Sequence, residues 1–359
     1  MVSLIRKRCH KCHDSPVRPA DAAYSLTGGT GDDTFNFCPT LQDHHNLFGA
    51  VTLTGGGGTD AVNYYDQQNP IPANGYTFGN SRLSQVGIPG ITLNGIASET
   101  IYGADTAGPN SFDCVGTALA ITVVGGSPNG ALANNNLGAP PNVTNIFDVT
   151  GKDAGTLQEI LSSKTATLNF SNVQYLDGGN GGVTDFKIEP NGTVLDVTGG
   201  IRLHAGKGNW IDYSSFTTPV SVNLVTNSAT NINGGAAGAI LNIQNVFGGN
   251  GGNTLVGNDF GNILIGGTGA DTIMGGSWRS ILIGGGGQDH ITGGATSGGD
   301  ILIGGTTSYD GDTVTNMTAL MAILAEWQSS DSFSTRFTKI DTGTIRGGYK
   351  LNWGHDCPG

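Results

Sequence analysis

The sequence predicts an all-β fold, a mostly parallel β-solenoid that ends in a regular repeat and a short C-terminal helix. The repeat runs from Gly248 to Ile303 in steps of about nine residues, which indicates stacked copies of one structural unit. Upstream, residues 64–247 consist of short apolar segments separated by glycine and asparagine, which is typical of strands joined by turns. Apolar residues at helical spacing occur in one segment, residues 316–328.

The composition indicates a folded, acidic protein. Glycine contributes 61 and proline 13 of 359 residues, about a fifth of the chain and below the roughly 25–30% of aperiodic disordered sequence. The formal net charge of −12 makes nucleic acid and anionic membranes unfavourable partners. No apolar run reaches the ~18 residues of a transmembrane helix. We therefore expect a water-soluble array without a nucleic-acid partner or a transmembrane segment.

Six consecutive units form the repeat, and the last carries two extra residues. A single turn and strand of nine residues cannot bury its apolar residue, whereas stacked copies can align these residues in one interior column. The units are GGNGGNTLV, GNDFGNILI, GGTGADTIM, GGSWRSILI, GGGGQDHIT and GGATSGGDILI. The predicted interior residues are Leu255, Leu264, Ile273, Leu282, Ile291 and Leu302.

Two isolated units of the same kind lie upstream, GGTGDDTFN at 28–36 and GGGGTDAVN at 55–63. Because glycine-rich turns are flexible, the aspartate at the sixth position is a candidate for holding a cation between stacked turns. The segments between 64 and 247 favour an irregular solenoid continuous with the repeat, and a β-sandwich is the alternative. Those segments include ITLNG, TIYGA, AITVVGG, NIFDVTG, ATLNFSNVQYLDGG, TVLDVTGG, VSVNLVT and ILNIQNVFGG.

The C-terminal segment is predicted to cover an apolar stripe. Three of the units end in isoleucine-leucine-isoleucine, so that the flanking isoleucines point outward if the leucine points inward. We expect the helix over 316–328 to fold over this stripe with Leu324 and Trp327 in contact, and with Asp312 or Thr315 as its N-cap. A protein-binding surface is the alternative role of the stripe.

These features divide the chain into four parts. Residues 1–25 form a tail with a Cys-x-x-Cys-His motif, 26–247 the irregular solenoid, 248–311 the regular repeat, and 312–359 the helical cap and tail. Residues 1–25 lack the apolar core of a secretory leader, which leaves a cytosolic protein, a leaderless export substrate or a truncated product as alternatives.

GGTGADTIM and GGGGQDHIT resemble the hemolysin-type (RTX) calcium-binding nonapeptide of secreted bacterial proteins, which is built as a parallel β-roll. The stretch from Trp210 to Asp310 is similar to the ends of large repetitive planctomycete-type surface proteins. The resemblance implies Ca²⁺ as the cofactor, folding coupled to calcium, and leaderless export through a signal in 310–359. It further implies an extracellular or cell-surface structural, matrix or adhesive module, with polysaccharide or protein as candidate partners.

The resemblance also implies the sites. In the family, turns alternate between two sides, and calcium lies between turns two repeats apart, bound by two sixth-position aspartates and backbone carbonyls. Here this pairs Asp271 with Asp289, and Asn253 with Asp271 as a weaker site. The glycine ligands implied are Gly266, Gly267, Gly269, Gly284, Gly285 and Gly287.

The remaining sixth positions do not predict complete two-carboxylate sites. Asn262 with Ser280 offers no carboxylate, and the insertion before Asp300 disturbs its spacing. Asp33 and Asp60 are candidate ligands in perfect units, but they lack adjacent repeats that would identify their partners. The alternative to calcium is that asparagine ladders and apolar packing hold the array without metal.

Other motifs leave further alternatives open. Cys9, Cys12 and His13 match the attachment motif of c-type haem, or they bind zinc with His355 and Cys357, or they form an unliganded tail. The five cysteines of the chain have no disulfide-framework spacing.

No enzyme is predicted, because the zinc-protease and nucleophile-elbow motifs are missing. The cluster Asp43-His44-His45 is interpreted as a solvated loop. A carbohydrate-active enzyme, a lyase or an epimerase, is the alternative, with its acid, base and cationic groups drawn from Asp177, Asp185, Lys187, Arg202, His204 and Asp212.

Overall fold

The computed structural model describes residues 23–38, 42, 49–70, 75–79, 81–85, 87–105, 109–116, 119–127, 134–161, 165–200, 208–294 and 299–351. The chain divides into two compact units, an N-terminal unit, Met1–Gly179, and a C-terminal unit, Asn180–Gly359. The described residues are mostly β, with parallel sheets and with helices near the C-terminal end, as predicted. The four predicted domain boundaries stay predictions.

The N-terminal unit contains two sheets whose strands are mainly parallel. Their orders are β1-β3-β7-β6-β5-β9-β11-β15 and β2-β4-β8-β10-β14-β13-β12. The strands are β1 (Tyr24–Thr27), β2 (Thr34–Phe37), β3 (Val51–Thr54), β4 (Ala61–Tyr65), β5 (Gly75–Gly79), β6 (Arg82–Gln85), β7 (Ile88–Asn94), β8 (Ser98–Tyr102), β9 (Ser111–Cys114), β10 (Ala120–Val124), β11 (Asn136–Gly138), β12 (Thr144–Gly151), β13 (Ala154–Ile160), β14 (Thr165–Ser171) and β15 (Tyr175–Asp177).

Antiparallel pairs interrupt this unit, which the sequence patterns did not predict. Strands β5, β6 and β7 pair antiparallel, and so do β12, β13 and β14. Only Lys152 and Asp153 connect β12 to β13, and Asp153 has a φ of 54°. A connection this short allows only a hairpin, because parallel neighbours need a long crossover.

The C-terminal unit contains the parallel sheet β16-β18-β22-β24-β26-β28, the sheet β20-β19-β23-β25-β27 and the parallel pair β17-β21. Its elements are β16 (Thr184–Ile188), β17 (Asp196–Thr198), β18 (Trp210–Asp212), β19 (Ser221–Asn223), β20 (Ser228–Ala229), β21 (Ile240–Leu241), β22 (Asn245–Phe247), β23 (Thr254–Val256), β24 (Ile263–Gly267), β25 (Thr272–Met274), β26 (Ile281–Gly285), β27 (His290–Thr292), β28 (Ile301–Ile303), α1 (Val314–Trp327) and α2 (Phe333–Thr342).

Consecutive strands of the nonapeptide region alternate between the two sheets. Leu264 pairs with Leu282 and Leu282 with Leu302, while Leu255 pairs with Ile273 on the other sheet. The inner residues of the first four units are fully buried, as the predicted column requires. At the last turn the column opens, and Leu302 is 50% exposed.

Helix α1 covers the isoleucine stripe, as predicted. Its buried residues, which include Leu324 and Trp327, belong to one apolar cluster with Ile263, Ile281 and other stripe residues. The cap differs from both predicted candidates, because the Thr313 side chain accepts the first-turn hydrogen bond from the Asn316 backbone N–H at 3.2 Å. Helix packing thus shields an apolar sheet face that would otherwise be exposed.

Helix α2 is a second helix that the sequence patterns did not predict. Its segment is mostly polar, although Phe333, Phe337 and Ile340 follow helical spacing; Ser332 caps its start and Gly343 ends it with a φ of 70°. A serine before and a glycine after the segment are the signals that could have found it.

Leu324→Ala is expected to lower the free energy of unfolding of the C-terminal unit by about 2–4 kcal/mol, because it leaves a cavity between α1 and the stripe. Chemical denaturation at fixed calcium concentration measures this change. Thr318→Ala, which alters an exposed residue of the same helix, is the control. Equal effects of the two substitutions would contradict the packing of α1 on the sheet.

Candidate metal centre

A ladder of hydrogen bonds joins the sixth positions of stacked turns. The backbone N–H of Asn253 donates to Asp271 Oδ1 at 2.6 Å, and the N–H of Asp271 donates to Asp289 Oδ1 at 3.0 Å. The residues joined in this way are 18 positions apart. One oxygen of each carboxylate is therefore fixed by the backbone, and the other is left for a different partner.

The second oxygen of these carboxylates has no donor. Asp271 Oδ2 and Asp289 Oδ2 are buried and accept no hydrogen bond from the described residues. A methyl group on Gly266 would collide with Asp271 Oδ2 and would lie 2.5 Å from the carbonyl oxygen of Gly284. A buried carboxylate oxygen thus lies near a carbonyl oxygen, an arrangement that is unfavourable unless a cation or proton intervenes.

These atoms fit the chemistry of calcium, which takes carboxylate and backbone carbonyl oxygens as ligands. Among the residues that the structure describes, no group of three or more His, Cys, Asp or Glu side chains could hold a metal ion. A cation at these turns would therefore depend on backbone carbonyls in addition to the paired aspartates.

The predicted glycine positions lie where stacked turns approach closely. Gly267 and Gly285 have φ values of 122° and 90°, which other residues rarely adopt. A side chain on Gly285 would collide with the carbonyl of Gly267, and one on Gly287 with the carbonyl of Gly269. These positions therefore require glycine for stacking, whether or not their carbonyls bind metal.

Asn253 presents an amide nitrogen where a cation would need an oxygen. Its Nδ2 donates to the carbonyls of Gly249 and Gly266, both at 2.9 Å, and its Oδ1 accepts from the Val220 N–H at 3.1 Å. The predicted weaker site with Asp271 does not fit this orientation. The side-chain amide here occupies the position between two carbonyls that a cation would take.

On the opposite side of the array, the sixth-position side chains have hydrogen-bond partners within the protein. Asp300 Oδ1 accepts from the Ser280 N–H at 2.7 Å, and its Oδ2 accepts from the Gly294 N–H at 2.7 Å. The Asn262 N–H donates to Ser280 Oγ at 3.1 Å. Both oxygens of Asp300 therefore have donors, unlike those of Asp271 and Asp289.

Asp33 and Asp60 lie on stacked turns of the N-terminal unit. Strands β2 and β4, which follow the two turns, are parallel neighbours. The Asp33 N–H donates to Asp60 Oδ1 at 2.8 Å across 27 residues, as in the ladder of the C-terminal unit. Asp60 Oδ2 is buried without a hydrogen-bond partner among the described residues, while Asp33 Oδ2 accepts from the Gly29 N–H at 2.5 Å.

The expectation that these two units lack adjacent repeats is thus wrong, because each is the neighbour of the other. The spacing of 27 residues is three nonapeptides, and this multiple is the signal that could have found the pair. Between the two units lies β3, which pairs with β1 in the other sheet, so the two matching units are not consecutive in the sequence.

Burial raises the pKa of Asp271 to about 6; the Asn253 backbone N–H lowers it and the Asp289 carboxylate raises it. A proton would therefore compete with any cation at this carboxylate below pH 6. In chelator, the protonated Asp271 carboxyl contributes to the stability of the folded state. This contribution is fully present below the pKa that Asp271 has in the unfolded chain, and it is lost as the pH rises to about 6.

Were calcium to bind at Asp271, its affinity would be expected to fall about tenfold from pH 7 to pH 5, because binding would displace a proton from this carboxylate below pH 6. Calorimetric calcium titrations at pH 5, 6 and 7 measure the change. Equal affinity at the three pH values would show that Asp271 is not a ligand.

The structure describes four of the residues considered for carbohydrate chemistry: Asp177, Asp185, Lys187 and Asp212. Asp177 Oδ2 accepts from Asn136 Nδ2 at 2.7 Å, and Lys187 Nζ lies 2.8 Å from Asp312 Oδ2 at the start of α1. Asp212 pairs with Lys187 in the strand register, and burial raises its pKa. Asp185 is buried on β16. Lys187 and Asp212 are therefore the described members of this set that lie together, and Lys187 is shared with Asp312.

Several predicted residues lie outside the described parts of the chain. They are Cys9, Cys12, His13, Asp43, His44, His45, Arg202, His204, His355 and Cys357.

No protein-family model matches the chain, and no curated protein matches it. Within the described part of the chain, no helix has the length and apolar character needed to cross a membrane.

Proposed function

We propose that the protein is a calcium-binding β-roll, with one paired-aspartate site in each unit, and that it serves as an extracellular structural, matrix or adhesive module. The sites are the turns of Asp33 and Asp60 and the turns of Asp271 and Asp289. The observation that carries the proposal is Asp271 Oδ2, which is buried without a donor beside the Gly284 carbonyl.

Calcium at such turns would stabilise the folded state. Binding to the folded chain alone contributes RT ln(1 + [Ca²⁺]/Kd), about 2.7 kcal/mol when calcium is at 100 times Kd. Extracellular calcium modules bind at about 10⁻⁴–10⁻³ M, so sites of this class fill outside cells and stay empty in the cytosol. The net charge of −12 also favours cations over anionic partners.

A calcium titration of the full chain, followed by far-UV circular dichroism and thermal melting, tests the proposal. Calcium is expected to raise the melting temperature at millimolar concentrations, whereas magnesium, which prefers a compact octahedral site, should have a much smaller effect. A melting temperature that is unchanged by calcium would refute the proposal.

A further inference from the structure

Two hydrogen-bonded clusters of the same design occur, one in each unit, and the sequence patterns did not reveal them. Each joins a Gly-Gly pair, an asparagine nine residues after the second glycine, and a later Asn-x-Gln segment. The members in the N-terminal unit are Gly125, Gly126, Asn135, Asn172 and Gln174. The members in the C-terminal unit are Gly199, Gly200, Asn209, Asn242 and Gln244. We name each cluster an amide clamp.

In the N-terminal clamp, side-chain amides converge on backbone carbonyls. Asn172 Nδ2 donates to Gly125 O at 3.0 Å and to Gly126 O at 2.6 Å, while Asn135 Nδ2 donates to Gly126 O and Asn172 O, both at 2.8 Å. Gln174 closes the cluster, because its Nε2 donates to Asn172 Oδ1 and its Oε1 accepts from the Asn135 N–H, both at 3.1 Å.

The C-terminal clamp repeats every one of these bonds. Asn242 Nδ2 donates to Gly199 O and Gly200 O, both at 2.8 Å, and Asn209 Nδ2 donates to Gly200 O and Asn242 O, both at 3.0 Å. Gln244 Nε2 donates to Asn242 Oδ1 at 3.1 Å, and its Oε1 accepts from the Asn209 N–H at 3.3 Å.

The conformation and burial of the clamps recur as well. Asn172 and Asn242 have φ values of 55° and 54°, in the left-handed region that asparagine tolerates better than most residues. Asn135 and Asn209 are each 1% exposed. The same bonds and the same strained backbone at two places in the chain indicate a recurring structural element.

Asn209 accepts a backbone hydrogen bond in the same way as the sixth-position Asp271. Asn209 Oδ1 accepts the Thr184 N–H of a neighbouring turn at 3.1 Å, just as Asp271 Oδ1 accepts the N–H of Asn253. The two side chains differ in their second terminal atom, and this atom decides whether the turn needs a cation. In Asn209 it is an N–H donor that neutralises the carbonyls, whereas in Asp271 it is an oxygen without a donor.

We infer that the amide clamps replace calcium, so that the turns they hold fold without metal and calcium controls only the two paired-aspartate sites. Given the proposed function, the response to calcium is then local in each unit and does not involve the whole chain. A turn needs calcium or not according to the second terminal atom of its asparagine or aspartate side chain: an N–H donor makes calcium unnecessary, and an oxygen without a donor requires it.

Hydrogen–deuterium exchange of the full chain in calcium and in EGTA tests the inference. Peptides that contain β10, β15, β18 and β22, next to the clamps, are expected to keep their protection from exchange in EGTA. In the aspartate turns the protection factor should fall about tenfold or more in EGTA; the peptides concerned cover 28–36, 55–63, 266–274 and 284–292. Loss of protection in EGTA at the clamp peptides, to the same extent as at the aspartate turns, would overturn the inference.

Two substitutions at one clamp position sharpen the test. Asn209→Asp replaces the N–H donor by an oxygen, so protection around β18 should become dependent on calcium. Asn209→Ala should lose protection in both conditions, because it removes the donor and supplies no ligand. An Asn209→Asp protein with wild-type protection in EGTA would overturn the inference.

The outcome separates this inference from the proposed function. If no peptide of the wild-type chain responds to calcium, the proposed function fails, and the clamp is still judged by the Asn209→Ala protein in EGTA. If the aspartate turns respond and the Asn209→Ala protein exchanges like the wild type, the proposed function stands and the clamp fails.

Discussion

Replacing Asp271 by asparagine is expected to remove one calcium ion from the protein while leaving its turn folded. The substitution converts a buried oxygen without a donor into an amide nitrogen that can donate to the Gly284 carbonyl, as Asn253 donates to the Gly266 carbonyl. In EGTA the variant should exceed the wild type in stability by about 1–3 kcal/mol, because an unsatisfied buried carboxylate is removed. In saturating calcium it should be less stable, because it loses the binding contribution.

Asp300→Asn is the matched control for this substitution, since Asp300 is also a sixth-position aspartate but both its oxygens already accept backbone hydrogen bonds. Its calcium stoichiometry should equal that of the wild type. Thermal melting in calcium and in EGTA, together with calorimetric titration, measures both variants. If Asp271→Asn melts like the wild type in both conditions, Asp271 does not bind calcium.

Replacing Glu99 by leucine is expected to stabilise the N-terminal unit at neutral and alkaline pH. Glu99 is 1% exposed, neither carboxylate oxygen has a hydrogen-bond partner among the described residues, and its strand neighbours Val62 and Ile121 are fully buried. Burial raises the pKa of Glu99 to about 8. The folded state therefore retains a proton that the unfolded chain releases near pH 4.5.

The sign of the pH dependence follows from this difference. The contribution of Glu99 to stability is fully present below pH 4.5 and is lost as the pH rises to about 8, where the carboxylate ionises in the folded state. The loss attributed to Glu99 is about 3–5 kcal/mol. Leucine removes it, because an apolar side chain of similar size matches the surrounding column.

Urea denaturation at pH 5 and pH 9 in EGTA measures this effect, and the difference between variant and wild type isolates it from other titrating groups. Glu189→Gln, which removes a partly exposed carboxylate bonded to Ser215, is the control and should keep the wild-type pH dependence. A Glu99→Leu protein that loses as much stability as the wild type between pH 5 and pH 9 would contradict the role of Glu99.

The sequence predicts structure well where local periodicity decides it. Leu264 and Leu282 repeat at equal positions of equal units, so their pairing and burial follow from the repeat. The covering of the isoleucine stripe follows from the same repeat, because unshielded isoleucines on one face require a partner. The paired carboxylates of Asp271 and Asp289 were found from the resemblance and the spacing together.

Features decided by long-range pairing were not predictable in this way. Asp33 bonds to Asp60 across 27 residues, and hydrogen-bonded members of an amide clamp lie up to 47 residues apart. The burial of Glu99 could not be predicted, because a charged residue is normally expected at the surface. These contacts depend on which turns stack on each other. Outside the regular units, the sequence has no nine-residue pattern that would specify this stacking.

The number of calcium ions bound per chain is the most direct test of the paired-aspartate sites. Equilibrium dialysis with radioactive calcium should give two ions for the wild type and one each for Asp60→Asn and Asp271→Asn. The double variant should bind none above the level seen in excess magnesium. Wild-type stoichiometry in the double variant, or no calcium bound by the wild-type chain, would contradict calcium binding at these turns.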